Sequence, residues 1–132
     1  MKASISFREI EDLLANKIKK GNLLLSCIDG QTIGATYRLL FPITIELRIK
    51  QITNTDLYLD YGGGIGAPTV IKGLLQMVKS QPNLGFIESL NDNGVVLHLD
   101  QIEQMRQVLD AIEIQDLCVK EEGIEAEGKL KA

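Results

Sequence analysis

The chain has 132 residues, 45% hydrophobic and 24% charged, with a net charge of −4 and a pI near 5.0. That length supports one domain spanning 1–132, with a core that calls for no disulfide, metal or cofactor. An acidic chain with 5% aromatics and no Trp lacks the basic groove and stacking platforms of nucleic-acid readers, so no nucleic-acid partner is expected.

Ser6-Phe7-Arg8-Glu9 reads as a capping box, with Ile5 and Ile10 at hydrophobic-staple positions. The pattern predicts an amphipathic helix over 6–20, with Phe7, Ile10, Leu13, Leu14 and Ile18 on one face. Lys17, Lys19 and Lys20 complement the C-terminal dipole, and Gly21 offers a left-handed exit. Strands are then expected over Leu23–Ile28 and Thr32–Leu40, turning at Asp29-Gly30. Pro42 interrupts the ladder, having no amide to donate. Ile43, Ile45, Leu47 and Ile49 next alternate with Thr44, Glu46, Arg48 and Lys50. Leu57, Leu59 and Tyr61 continue the alternation, which marks an antiparallel meander with one wet face.

The most apolar helical pattern follows a glycine run. Gly62, Gly63, Gly64 and Gly66 lead into Val70, Ile71, Leu74, Leu75 and Val78, with Lys72, Gln76 and Lys79 opposite. No Lys-Ser or Lys-Thr follows the glycines, and their spacing misses a dinucleotide fingerprint. They read as a bend or a gate rather than a phosphate cradle. Pro82-Asn83 ends the helix, Phe86–Leu90 is a short extended piece, and Asn93-Gly94 turns the chain into Val95–Leu99. Asp100 is expected to cap a third helix carrying Ile102, Met105, Leu109 and Ile112. A last hairpin over Ile112–Lys120 and Ile124–Leu130 slips phase near Asp116, as a bulge would.

The expected fold is therefore α+β, a curved antiparallel sheet of short strands wrapped around or packed on a long apolar central helix. An N-terminal amphipathic helix and a short third helix complete it. His98, the only histidine, falls on the polar side of its strand and is expected to be exposed. With Cys27 and Cys118 far apart in sequence and read as small buried hydrophobes, no zinc spacing or nucleophile–base pair forms. The acidic side chains read as solvated strand faces, and no catalytic residue is assigned; the chain is not expected to be an enzyme. No apolar run reaches ~18 residues and no secretory leader opens the chain. A cytoplasmic protein is expected from the chain as given, an extracytoplasmic one if a leader has been removed.

Leu97-His98-Leu99 leads into the Asp100–Asp110 helix, then Ile112-Glu113-Ile114-Gln115-Asp116-Leu117-Cys118-Val119 and Glu122-Gly123-Ile124. This ending resembles the tubular lipid-binding (TULIP-like) domains, and within them the bacterial phospholipid-binding members. The resemblance implies a non-enzymatic module that shelters an apolar ligand between helix and sheet. It departs from the family in lacking a signal or anchor, and in a length that would need a second copy for a full cavity. Val70, Ile71, Leu74, Leu75 and Val78, with Leu14, Ile18, Ile45 and Leu47, are the expected ligand-lining residues. The alternative is an interaction or scaffold domain that uses its apolar surplus for self-association, as a homodimer or with another partner.

Overall fold

The computed structural model describes residues 1–17, 22–38, 42–53, 55–64, 66–80, 85–90 and 93–131. Along the chain run β1 (Lys2–Ser6), α1 (Phe7–Lys17), β2 (Asn22–Asp29), β3 (Thr32–Arg38), β4 (Pro42–Thr53) and β5 (Asp56–Gly63). After them come α2 (Ala67–Ser80), β6 (Ile87–Leu90), β7 (Gly94–His98), a 3₁₀ turn (Leu99–Gln101), α3 (Glu103–Ala111), β8 (Ile112–Lys120) and β9 (Gly123–Leu130). All pairings are antiparallel. They build two sheets, one of order β2-β3-β4-β5-β7-β6 and one of order β1-β9-β8.

The α+β character with antiparallel strands agrees with expectation; the arrangement does not. Among the described residues strand outweighs helix, the three helices are short, and none runs through the middle of a curved sheet. The inner face of the six-stranded sheet is covered chiefly by the second sheet. Ile33, Ile49, Leu57 and Leu59 pack against Ile114, Leu117 and Val119 of β8, with Phe7 of α1, Leu99 and Leu109 of α3 closing the core. The Val119 amide also donates to Gly30 O at 2.9 Å, tying β8 to the β2–β3 turn. Alternating strands state which face is apolar but not what covers it, and here a hairpin some sixty residues downstream does so before α2 can.

Local signals explain most of the element ends. Ser6 and Glu9 form the expected capping box, each side chain bonded to the other's amide at 3.1 Å. The strand before it, β1, is a correction. Its residues are mostly exposed and small, and it exists through its ladder with β9, Ser4 facing Glu125 and Ile5 facing Ile124. Gly123 in that ladder lies so close to Ile5 O and Ser6 Cα that a side chain could not be placed there. Asp29 closes the β2–β3 turn by accepting from the Gln31 amide at 2.8 Å. That bond holds its carboxyl below the ordinary value, helped by Thr32.

Between β6 and β7 the left-handed residue is Asn93, at φ 63°. The register shift between Ile114 and Asp116 is the expected bulge, and it lets both Ile114 and Leu117 face inward. Asp100 does not cap α3. The N-cap is Ile102 with no side-chain bond, while the Asp100 carbonyl accepts from Arg106 Nε at 2.9 Å. Ile112 opens β8 instead of ending the α3 stripe.

Candidate functional site

α2 docks on the far end of the main sheet through a cluster of its own. Its first turn tolerates Pro68, whose missing amide would have no helical partner. The Ala67 amide reaches back to Gly64 O at 3.2 Å and the Val70 amide to Gly66 O at 3.2 Å. Gly63 remains in the β4–β5 ladder opposite Ile45, with φ +147°. A Cβ on it would lie 2.7 Å from Thr44 O and 2.8 Å from Ala67 Cβ. The missing side chain thus lets Ala67 settle on β4 with no exposed surface at all. Gly66, at φ +90°, makes the turn against the Ile43 side chain, whereas Gly62 and Gly64 are exposed with open space around them. Two of the four glycines therefore make the bend.

The expected lining residues separate into two sets. Ile45 and Ile71 are buried together with Ile43 and Ala67. Val70, Leu74 and Leu75 are half-buried along its border, as are Leu47 and Tyr61. Val78 belongs to α2 and Leu14 to α1, but their side chains lie outside the described set, and Ile18 lies outside the described residues. Among the described residues α1 packs on β2 and the second sheet. The structure therefore gathers Val70, Ile71, Leu74, Leu75, Ile45 and Leu47.

The charge around that border is distinctive for an acidic chain. α2 carries Lys72 and Lys79 and no acidic residue, while α1 holds Glu9, Glu11 and Asp12 and α3 holds Glu103 and Asp110. Lys72, Leu75 and Lys79 follow at i, i+3 and i+7, so they share one edge of the helix.

A second polar constellation was not expected from the sequence. His98 Nδ1 lies 2.8 Å from Asp56 Oδ1, and Nε2 lies 2.8 Å from Glu88 Oε2. The side chain is 23% exposed, which corrects the expectation of a free surface histidine. Alternation placed His98 on the polar side of its strand, but only the order β5-β7-β6 makes it a neighbour of Asp56 and Glu88. Ionised carboxylates only accept, so in its imidazolium form the ring donates from both nitrogens, one to each carboxylate. Asp56 first, and then Glu88, raise its pKa above the ordinary value against a smaller opposing effect of burial. In the imidazolium form both nitrogens are committed, and neither is free to take a proton from a substrate.

Among the described residues no three His, Cys, Asp or Glu side chains converge to hold a metal ion. Cys27 and Cys118 are both half-buried free thiols, less covered than expected. Among the described residues no helix is long and apolar enough to cross a membrane. The chain matches no protein-family model, and comparison with curated proteins and with solved structures gives no match.

Proposed function

We propose that the chain is a non-enzymatic binding module for an anionic amphiphile, held along the exposed border of α2. The observation that carries the reading is the division of the α2 stripe. Ala67 and Ile71 are sunk into β4, while Val70, Leu74 and Leu75 are left half-covered beside them. An apolar chain laid there would complete their burial, and Lys72 and Lys79 on the Leu75 edge suit an anionic head.

Magnitudes indicate which contact should dominate. Exposed lysine–anion pairs contribute about 0.2–1 kcal/mol each. Each methylene removed from water contributes about 0.8 kcal/mol, or roughly a fourfold change in affinity. Chain length should therefore outweigh the head. Titration with octanoate, decanoate and dodecanoate below their micelle thresholds should give affinities that climb steeply with length. Lys72→Glu with Lys79→Glu should weaken all three by a similar factor, and Leu74→Ser should flatten the length dependence. A membrane-surface role would instead show as co-sedimentation with anionic vesicles and no binding of the free carboxylates. Affinity independent of chain length, or unchanged in Leu74→Ser with the fold intact, would overturn the reading.

A second reading, self-association, has one observation in its favour. β2 is an edge strand with no charged side chain from Asn22 to Ile28, and its Leu24 and Ile28 are 44% and 45% exposed. Pairing of two copies along β2 would cover them. Against this, the Leu25 amide is already taken by Glu11 Oε2 at 2.7 Å, which blocks the middle of that edge. Light scattering that shows a monomer across the micromolar range removes this reading.

A further inference from the structure

β6 is the far edge of the main sheet, four residues long, and pairs only with β7. Its ladder sets Ile87 opposite Leu97 and Leu90 opposite Gly94, and just before it Phe86 O accepts from the His98 amide at 2.7 Å. So short an edge strand has little backbone pairing to hold it. The His98 ring adds a second kind of attachment. It sits at the end of β7, reaches Asp56 at the start of β5 on one side, and reaches Glu88 of β6 on the other. One side chain thus spans three strands.

We propose that Asp56, His98 and Glu88 form a pH-dependent latch on β6, closed while the ring is an imidazolium and loosened when it becomes neutral. The geometry requires the charge. A neutral imidazole has one bare nitrogen, and in either tautomer that lone pair would face a carboxylate 2.8 Å away. One of the two bonds must then fail. Glu88, at 59% side-chain exposure, has water as an alternative, whereas Asp56 is the better covered. The Glu88 bond is therefore the one that opens.

The other charged or titratable groups near the ring's face do not substitute for it. From β5, Tyr58 and Asp60 lie further along the strand, and Asp60 is engaged by Lys50 at 3.6 Å. In the turn after β7, Asp100 is exposed to solvent. Asp56 and Glu88 are the two groups whose charge acts on the ring, and both favour its protonated form. The latch therefore holds fully below the unfolded histidine value of about 6.5 and is lost as pH rises through the raised folded value. β6 follows α2 in the chain and packs against it. Opening β6 would loosen the far support of α2, a consequence that rests on the proposed role of α2, while the latch itself does not.

Because His98 is the only histidine, its ring signals in an NMR titration need no assignment. The one charge-assisted bond that opens, at about 0.2–1 kcal/mol, corresponds to a change of up to about fivefold in local opening. Amide exchange of Ile87–Leu90, corrected for intrinsic rates and referenced to β2, should lose protection by that factor from pH 6 to 9. The midpoint should match the His98 ring titration. Glu88→Gln should lower the ring midpoint, and His98→Gln should remove the pH dependence and leave β6 at its high-pH protection. The proposal is overturned if β6 protection does not follow the ring, or if Glu88→Gln leaves the ring midpoint where it was. The wild-type titration decides even if His98→Gln fails to fold, and none of these readouts involves a ligand.

Discussion

Gly63→Ala is the most direct perturbation of the α2 seat. The backbone there is at φ +147°, a conformation L side chains rarely adopt, at a cost of about 1–3 kcal/mol. The new methyl would also meet Thr44 O at 2.7 Å and Ala67 Cβ at 2.8 Å. Neither can swing aside, since one is ladder backbone and the other belongs to a fully covered alanine. Overpacking of this kind costs a further 1–3 kcal/mol or so. A stiffer unfolded chain returns about 0.4–1 kcal/mol, so the net destabilisation should be roughly 1–5 kcal/mol. The strain lies between β5 and α2, and α2 is held by a small cluster apart from the main core. The loss should therefore appear first as undocking of α2. Hydrogen exchange resolved by segment is the assay, with α2 protection falling before that of β3, β4 and β8. Gly64→Ala is the control, having open space at that position and no positive φ. The reasoning is refuted if Gly63→Ala stays within 0.5 kcal/mol of wild type, or if Gly64→Ala costs as much.

Val119→Ala should cost about 1–3 kcal/mol in urea unfolding, because Val119 is 3% exposed between the sheets, whereas Leu130→Ala, at 64% exposure, should change little. Ser6→Ala should lose about 1 kcal/mol of stability by removing one arm of the capping box, and a double-mutant cycle with Glu9→Ala should show that the two losses are not additive. Global stability should drop by roughly 0.5–1.5 kcal/mol between pH 6 and 9 as the His98 ring loses its proton, and His98→Gln, compared by chemical denaturation, should not show that drop.

Local chemistry made most elements readable in the residues. Ser6 and Glu9 announced α1, Asn93-Gly94 announced the β6–β7 turn, and the slipped phase near Asp116 announced the bulge. What stayed hidden depends on partners distant in sequence. β1 has almost no apolar periodicity of its own and is a strand because β9 lies beside it. His98 gains two carboxylates because β7 inserts between β5 and β6, an order no local pattern states. The same limit displaced α2 from the centre. Its stripe is the most apolar in the chain, yet Ile33, Leu57 and Leu59 are covered by β8, so α2 is left with Ile43 and Ile45 at the sheet's end.

That displacement changes what α2 can do. A helix inside the main core could not shift without unfolding the protein, whereas one held by a satellite cluster can move at a fraction of the global stability. Leu47 is the described side chain that packs against both clusters. Shortening it should therefore loosen α2 and the main core together, while Leu74→Ser should act on α2 alone. The binding surface proposed on α2 would in this way be tuned by its own residues, with Leu47 as the packed route through which an occupied α2 border would be felt by the sheet.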